Sequence, residues 1–473
     1  MKSKILIGFF VVLVSTIMLM SNALASIGPP VWANQATLST PLDFLTSQDP
    51  ENSGFGTDQV VVWEEWNGNN WDIYMKYSLA DGALGTWMIS PVQPAVTGLN
   101  ERYPAVTITN SFPLPTEIHV VYQILRGGQW DIEHTWTNNF GVGWSVPVVL
   151  DVVPATDAIE PAIVFTEDLS FPGPSAGMLV QFTWAELNPL TALYEIQYDA
   201  YYYDPTLLPP GRGYIGPTLI RSIAGNCRSP EIASVDERLN PIAYDYYFSV
   251  VWQEQVGGQW NVWYDDGTTT TSGGPIGTIL TPGSTGQLNL PNNNGNCFHP
   301  DISATQDYGF GGVAETYYFH VNWVYNIVVA GTWQVDTYYY VGPLTSPGAA
   351  AFIVTAPARG PVAFVLDNPT IATKLQFPGG VTVFETWVCW EDNSVVAVPP
   401  DIWYRVGQCP TAGPPFAYTV AAALVPYIQG LSSEFNPELW NRNDSGRMFP
   451  PFTHLVFDMT SPLGFQEVEY IDP

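Results

Sequence analysis

The amino-acid sequence predicts an all-β protein, a seven-bladed β-propeller whose blades are four-stranded antiparallel sheets. Three observations lead to this prediction: a unit that occurs about seven times, a composition typical of strands and turns, and an orphan strand near the N-terminus. The 473 residues include 18 Trp, 25 Tyr and 23 Phe, together with 41 Gly and 42 Pro. Aromatic residues favour strands, whereas glycine and proline favour the turns between them.

The repeated unit is anchored by a proline that is followed two residues later by an aliphatic residue. Six copies are clear, and the last four prolines are spaced 70, 69 and 68 residues apart. The anchors are Pro104, Pro161, Pro230, Pro300, Pro369 and Pro437. Asp49 and Pro50 form a weaker relative ahead of the first unit. Spacing this regular predicts one supersecondary unit that is repeated throughout the fold.

Each anchor is followed by two further strand-like segments. The first is apolar at consecutive positions, as in residues 60–63 and 249–252, which predicts burial on both faces. The second often opens with tryptophan, as at Trp71, Trp130 and Trp260, and a fourth strand is less well marked. Antiparallel strands in radial units with both faces covered are the β-propeller's solution to exposed sheet edges. We interpret these tryptophans, together with Trp63, Trp252 and Trp323 of the preceding segments, as packing between blades.

The two ends of the mature chain favour a closed ring. The last unit, from Pro437 onward, supplies three strand-like segments instead of four. Residues 31–38 form a further strand-like segment with no unit of its own. We expect this segment to be the outer strand of the last blade, so that residues 26–473 form one domain. A three-layer β-sandwich array is the alternative, although it requires no orphan strand.

Residues 1–25 have the features of a secretory signal peptide. Lys2 and Lys4 precede an uncharged apolar run, and Ala23-Leu24-Ala25 provides a small-residue cleavage site. A retained membrane anchor is the alternative, but the apolar run is short for a bilayer span. Cleavage after Ala25 predicts an exported chain that is secreted or held at the cell surface, without insertion into a membrane.

The net charge of the chain limits its partners. It is −30 for the full sequence and −32 once the two lysines of the leader are removed. An acidic surface of this kind repels nucleic acid and anionic lipid, so we expect neither to be a partner of this protein.

The four cysteines predict two disulfides in an exported protein. Cys389 and Cys409 flank one hairpin, and Cys227 and Cys297 occupy the same phase of neighbouring units. We therefore expect the pairs Cys389–Cys409 and Cys227–Cys297. The second pair requires the two units to approach closely.

The repeat resembles the sialidase-like class of propellers, known as the BNR or Asp-box class. The resemblance is carried by the strand pair at 60–63 and 71–74 and by residues 78–87, SLADGALGTW, which resemble a degenerate Asp-box. Residues 137–144 resemble a further decayed copy. The resemblance implies a propeller fold. An Asp-box stitches the outer hairpin of a blade, so it implies nothing about catalysis.

Residues beside the anchor prolines are expected to face one end of the central channel, the default ligand site of a propeller. They are Arg102, Glu160, Arg228, Glu231, His299, Asp301, Asn368 and Glu438. Sialidases place arginines just ahead of an inner-strand proline to clamp a substrate carboxylate, and Arg102 and Arg228 lie in that phase. A third arginine and a matched tyrosine and glutamate pair are not evident. The favoured interpretation is that these groups line a water-filled channel and pair across blades.

Two kinds of chemistry follow from the acidic residues and histidines. Glu160, Glu231, Asp301 and Glu438 supply candidate carboxylate pairs for glycoside hydrolysis, with solvated carboxylates as the simpler alternative. His119, His320 and His454 share a phase in nonadjacent units and so are too far apart to share a metal. His134 and His299 are expected to be isolated, and no spacing of histidines and cysteines fits zinc. We expect no cofactor. The oxygen-rich turn at 441–446 is compatible with a structural calcium ion, although turn chemistry also explains it.

The repeat and the missing catalytic set favour a noncatalytic, exported propeller that binds an extracellular glycan or protein, or serves as a surface or matrix component. The first alternative is a glycosidase or lyase of sialidase-like fold that acts at the channel mouth. The second is self-assembly into an extracellular lattice, suggested by many aromatic residues and few lysines.

Overall fold

The computed structural model describes residues 33–39, 46–55, 58–80, 86–88, 90–94, 97–109, 116–151, 156–167, 178–204, 211–221, 225–236, 245–270, 281–282, 285–288, 295–307, 316–328, 330–342, 353–354, 357–363, 365–376, 383–393, 401–410, 417–418, 423–424, 433–441, 453–460 and 466–472. The predicted signal peptide lies outside these residues. So does the turn at 441–446 after its first residue. Within the described ranges, no helix is long and apolar enough to cross a membrane.

Strands make up the regular structure of these ranges. In chain order they are β1 (Ala33–Thr37), β2 (Ser47–Phe55), β3 (Asp58–Trp66), β4 (Trp71–Ser78), β5 (Glu101–Thr109), β6 (Glu117–Arg126), β7 (Gln129–Thr137), β8 (Val148–Val149), β9 (Ala158–Glu167), β10 (Met178–Asn188), β11 (Leu193–Asp204), β12 (Gly211–Tyr214), β13 (Thr218–Arg221), β14 (Asn226–Asp236), β15 (Asp245–Val256), β16 (Gln259–Thr270), β17 (Thr281–Pro282), β18 (Gly286–Gln287), β19 (Asn296–Asp307), β20 (Thr316–Ile327), β21 (Thr332–Gly342), β22 (Ile353–Val354), β23 (Arg359–Val362), β24 (Leu366–Gln376), β25 (Val383–Asp392), β26 (Asp401–Pro410), β27 (Ala417–Tyr418), β28 (Ala423–Leu424), β29 (Ser433–Asn441), β30 (Thr453–Thr460) and β31 (Gln466–Asp472).

The described strands form seven antiparallel sheets in which strands that follow one another in sequence lie side by side. The sheets are β2-β3-β4, β5-β6-β7-β8, β9-β10-β11-β12, β14-β15-β16-β17, β19-β20-β21-β22, β24-β25-β26-β27 and β1-β31-β30-β29. In four of them the third strand has a second outer partner, β13, β18, β23 or β28. Strand β1 pairs with β31, so the two ends of the described chain share one sheet.

The sheets are arranged radially. The first strand of each sheet contacts the first strands of its two neighbours, and β29 contacts β2 in the same way. Hydrophobic cores lie between adjacent sheets, as where Val60 and Val62 pack with Val106, Ile118 and Val120. The chain is therefore an all-β β-propeller, as the repeat predicts.

Two classes of tryptophan occupy the repeat. The second strands of five sheets each carry a fully buried Trp, at Trp63, Trp184, Trp252, Trp323 and Trp390. These residues pack between sheets, which confirms the packing interpretation for Trp63 and Trp252. The tryptophans that open the third strands, such as Trp71, Trp130 and Trp260, are only partly buried.

A recurrent hydrogen bond joins each of several sheets to the next. The backbone N–H of Trp71 donates to Asn100 Oδ1 over 3.1 Å, and Trp260 N–H donates to Asn296 Oδ1 over 3.0 Å. Equivalent bonds run from Trp130 to Asp157 and from Tyr194 to Asn226. In these four cases, a side chain at or just before the start of an inner strand satisfies a backbone donor of the preceding sheet.

The anchor prolines lie at β-bulges in the inner strands. The residue before the proline has a positive φ in six units: 51° at Asp49, 48° at Tyr103, 55° at Glu160, 47° at Ser229, 47° at His299 and 40° at Asn368. A left-handed conformation costs about 1–2 kcal/mol for a residue with a side chain. Side chains satisfy the displaced N–H groups, since Glu160 N–H donates to Gln123 and His299 N–H donates to Gln253.

Both predicted disulfides are wrong for the described cysteines. Cys389 pairs in register with Tyr404, whereas Cys409 pairs with Phe384, five positions along the same hairpin. At a rise of about 3.4 Å per residue, the two cysteines are roughly 17 Å apart. Cys227 and Cys297 lie in separate hydrophobic cores on different sides of a sheet. Cys227, Cys297 and Cys389 are therefore buried thiols. Cys227 and Cys297 do not meet because equal phase in neighbouring units places two residues in equivalent but separate cores.

Candidate functional site

The residues directly after the anchor prolines lie on the inner strands and converge on the axis of the propeller. The six that follow the anchors are Ala105, Ala162, Glu231, Asp301, Thr370 and Glu438, and Glu51 holds the same position after Pro50. Four of the seven are carboxylic acids. Each of these four is surrounded by protein on most sides but keeps part of its surface accessible to solvent. The space that they share at the axis is called the central channel below.

The carboxylate of Asp301 accepts hydrogen bonds from three donors of the protein. The backbone N–H of Ile371 donates to Oδ2 over 2.6 Å, and the N–H of Ile302 donates to Oδ1 over 2.6 Å. The hydroxyl of Thr370 lies 3.0 Å from Oδ2. Hydrogen bonds of this kind stabilise the charged form of a carboxyl group.

Glu438 has a poorer set of donors. Its Oε2 lies 3.4 Å from the Thr370 hydroxyl oxygen, which itself accepts a 3.1 Å hydrogen bond from Leu439 N–H. Thr370 is buried between the two acids. Three consecutive inner strands, β19, β24 and β29, therefore meet at this hydroxyl.

Burial raises the pKa of all four acids, and the charges of neighbouring acids add to this effect at Glu51, Glu231 and Glu438. Burial raises the pKa of Asp301 to about 6, despite its three donors. For Glu51 and Glu231, burial is the largest cause, and the charge of Asp301 adds to it in both cases. Burial also raises the pKa of Glu438, followed by the charges of Glu51 and Asp301. Among the described residues, no arginine, lysine or histidine forms an ion pair with any of the four.

Arg102, at the rim of the channel, is already paired with a carboxylate of the protein. Its Nε and Nη2 donate to the two oxygens of Glu64 over 2.8 and 2.7 Å. Its guanidinium also lies 4.9 Å from the centre of the Trp71 ring. The bidentate bond to Glu64 occupies the Nε–Nη2 edge of the guanidinium and pairs its positive charge with a carboxylate of the protein.

Arg228 is paired in the same manner. Its Nη2 lies 2.9 Å from Glu160 Oε1, and Glu160 Oε2 also accepts a 2.7 Å bond from Ser229 N–H. The guanidinium lies 4.8 Å from the centre of the Tyr194 ring. The two arginines predicted as ligand candidates thus pair with acids of neighbouring sheets.

The remaining predicted residues also form pairs at the rim. His299 Nδ1 lies 2.7 Å from Asp367 Oδ1, and Asn368 Nδ2 donates to Glu391 over 2.6 Å. Although burial opposes the charged imidazole, the bond to Asp367 raises the pKa of His299 above its usual value. Sequence reasoning treated His299 as isolated, which is wrong, because Asp367 of the next inner strand reaches it.

The structure brings three of the predicted residues together and separates them from the rest. Glu231, Asp301 and Glu438 face the channel, whereas Arg102, Glu160, Arg228, His299 and Asn368 form the rim. Sequence reasoning missed Glu51 and Thr370. The signal was present, because Pro50-Glu51 and Pro369-Thr370 have the same phase as Pro230-Glu231.

A second group of ionisable residues is buried in the wall between two sheets. His119 Nδ1 lies 3.0 Å from His134 Nε2, and His134 Nδ1 lies 2.6 Å from the Tyr214 hydroxyl. His119 Nε2 also lies 3.4 Å from Glu117, which accepts a 2.8 Å bond from Arg212. The expectation that His134 is isolated is wrong. Within the described residues, no group of three or more histidines, cysteines or acids is arranged to hold a metal ion.

No protein-family model and no curated protein matches this chain. Solved structures with a similar fold include an α-L-arabinofuranosidase of Fusarium graminearum, with 9% identity, 93% of this chain and 98% of that chain covered, and a TM-score of 0.45. The hemagglutinin-neuraminidase ectodomain of parainfluenza virus 5 has 8% identity, covering 94% of this chain and 83% of that one, with a TM-score of 0.43. A Hadza microbial sialidase has 10% identity, covering 87% and 76%, with a TM-score of 0.33. Sialidases are thus among the structures that this chain resembles, as the repeat predicts.

Proposed function

We propose that this protein is a glycoside hydrolase that acts in the central channel, with Asp301 and Glu438 as its pair of catalytic carboxyl groups. The observation that carries the proposal is the convergence of these two acids on the Thr370 hydroxyl, with Glu51 and Glu231 facing them. Most glycoside hydrolases use two carboxyl groups on either side of the scissile bond. One must hold a proton and the other a negative charge.

The electrostatics of the channel support this chemistry at neutral pH. An ordinary carboxyl group is ionised at pH 7 and cannot act as a general acid, so a catalytic acid needs a raised pKa. Burial and the neighbouring acids raise the pKa of Glu438 in this way. Asp301, with two backbone donors, is the group best suited to carry the charge. Both keep access to solvent through the channel.

The substrate that fits this site is a neutral glycan. Sialic acids and uronates carry a carboxylate, which the four channel acids would repel. The arginines of the rim are engaged by Glu64 and Glu160, so they do not offset that repulsion. The site therefore differs from the arginine clamp that the sialidase resemblance implies.

The experiment is a turnover screen of the purified protein against neutral oligosaccharides and aryl glycosides. In wild type we expect release of reducing sugar, and in D301N and E438Q a loss of at least about 100-fold, since general acid–base catalysis contributes that much. D401N, which neutralises an acid at the start of β26 instead, is the matched control and should retain activity. Wild-type rates in D301N and E438Q would refute the proposal.

A noncatalytic glycan-binding propeller is the second candidate. The observation that favours it is the partial exposure of Trp130 and Trp260 at the start of the third strands, because exposed aromatic rings stack on sugars. Binding of an oligosaccharide without any turnover, and its loss in W130A or W260A, would favour this candidate over the first.

The setting of the site is part of the proposal. The seven sheets are proposed to be the blades of one closed ring, in which β1 completes the last blade; the pairing of β1 with β31 and the contact of β29 with β2 support this. The protein is proposed to be exported and to meet an extracellular glycan. The leader-like residues 1–25 support that location.

A further inference from the structure

The Thr370 hydroxyl occupies a position between two acids that constrains where protons lie. Its oxygen is 3.0 Å from Asp301 Oδ2 and 3.4 Å from Glu438 Oε2. A hydroxyl has one hydrogen to donate and two lone pairs that accept. Thr370 therefore cannot donate to both carboxyl groups at once.

The hydrogen-bond inventory selects one arrangement. Asp301 is the nearer acceptor and takes the Thr370 hydrogen, since it already receives two backbone donors that favour its charged form. Leu439 N–H occupies one lone pair of the Thr370 oxygen. The second lone pair is left for Glu438, and this contact is favourable only when Glu438 donates a proton to it.

We propose that Thr370 links Glu438 and Asp301 in a proton relay, in which Glu438 holds the proton and Asp301 holds the charge. The use of the relay in catalysis rests on the hydrolase function proposed above, whereas the relay itself does not. Thr370 is a positioning residue, because it fixes which of the two acids is protonated without touching the substrate.

The relay moves one proton and leaves atoms and charges balanced. The Glu438 O–H bond breaks as a new O–H bond forms on Thr370, and the original Thr370 O–H bond breaks as one forms on Asp301. Glu438 then carries the negative charge, Asp301 is neutral, and Thr370 is a hydroxyl again. No electrons are transferred and no co-reactant is required.

The surroundings of the relay favour a single proton on the pair. Glu51 from β2 and Glu231 from β14 add negative charge, which disfavours ionisation of both acids together. The Cys389 thiol on β25 adds no charge of its own, because burial raises its pKa. The nearest described cationic group on these strands, His299, is already bonded to Asp367.

The test compares Thr370→Val, which keeps the shape but removes the hydroxyl, with Thr370→Ser, which keeps the hydroxyl. The carboxyl groups are followed between pH 3 and 10 by carbon-13 NMR of the full chain labelled at the Asp and Glu carboxyl carbons, with D301N and E438Q to assign the signals. In wild type and T370S, Asp301 should ionise first. In T370V, the Asp301 midpoint should rise and the Glu438 midpoint should fall, so their separation narrows by about one pH unit.

Each outcome decides the relay. Ionisation of Glu438 before Asp301 in wild type would overturn it, and so would a T370V titration identical to that of T370S. If T370V fails to fold because Leu439 N–H loses its acceptor, the order of ionisation in wild type decides alone. If Asp301 ionises before Glu438 in a protein that hydrolyses no glycan, the relay is supported and the hydrolase function is refuted. If the protein hydrolyses a glycan but Glu438 ionises first, the hydrolase function is supported and the relay is refuted.

Discussion

Two groups of ionisable side chains are buried in this protein: the four channel acids, and the chain of hydrogen-bonded residues around His119 and His134 in the wall between two sheets. They differ in whether their charges are paired. In the wall, Arg212, Glu117, His119, His134 and Tyr214 form a chain in which each member has a partner. In the channel, four acids face one another with no cation paired to any of them in the described residues. A structural group satisfies its own charges. A group that leaves repulsion unrelieved and open to solvent is a candidate site for function.

The two groups also respond to pH with opposite signs. Burial lowers the pKa of His134 below its usual 6.5, so the unfolded chain binds more protons and stability falls as the pH drops below about 6.5. Burial raises the pKa of Glu231 above its usual 4.5, so the folded chain binds more protons and stability falls as the pH rises above about 4.5. We therefore expect a stability maximum between these limits.

The largest effect is expected from breaking the satisfied group. Glu117→Ala leaves the Arg212 guanidinium and His119 without their shared partner in a buried site, which should lower the free energy of unfolding by about 3–5 kcal/mol. Urea denaturation at pH 7 measures the loss. Glu117→Gln, which keeps an acceptor for Arg212, is the matched variant and should lose less. A loss below about 1 kcal/mol in E117A would contradict the view that the chain is structural.

The opposite sign is expected in the channel. Glu231→Gln removes an acid whose ionisation is opposed by burial and by the neighbouring acids, so at pH 7.5 it should raise the free energy of unfolding by about 1–2 kcal/mol. Near pH 4, where Glu231 is protonated in both the folded and unfolded chain, the variant and wild type should be equally stable. Denaturation curves at the two pH values measure this difference. Destabilisation by E231Q at pH 7.5 would show that the channel acids are paired after all.

The smallest effect is expected at the rim, between these extremes. Arg228→Ala removes an ion pair with Glu160 in which the arginine side chain is 33% exposed, so screening by solvent limits the loss to about 0.5–1 kcal/mol. Thermal unfolding at low and high salt measures it. Because Glu160 already engages Arg228, R228A should retain hydrolysis of neutral glycans. Loss of turnover in R228A with unchanged stability would show instead that Arg228 contacts the substrate.

The sequence predicts the fold and part of the site because a single feature, the anchor proline, marks both. The residues flanking each proline are chemically diverse, yet Glu231, Asp301 and Glu438 are in phase and do converge. Glu51 was missed because the unit around Pro50 lacks the aliphatic residue two positions later, where Asn52 lies instead. Phase alone also does not give direction around the ring, so pairs between neighbouring sheets, such as Arg228 with Glu160, were not assigned.

The failures have a common physical cause. Repeat phase states which residues are equivalent, and equivalent residues in a radial fold lie in separate environments, so Cys227 and Cys297 do not meet. Contacts instead join different phases of adjacent strands. His119 pairs in register with Trp136, which makes His134, two residues away on the same face, its diagonal neighbour. The contact between His119 and His134 follows from the pairing register of β6 and β7, which the positions of the histidines in the sequence do not give.

The bulge before each anchor proline has a consequence for how such a protein changes over evolution. Six units hold the same left-handed backbone with Asp49, Tyr103, Glu160, Ser229, His299 and Asn368, so the fold accepts acidic, aromatic, basic and hydroxyl side chains there. The conformation recurs at the bulge before each of these prolines, whereas the identity of the residue that adopts it varies. The rim thus provides a set of interchangeable positions, through which ligand preference can be altered one unit at a time while the scaffold is conserved.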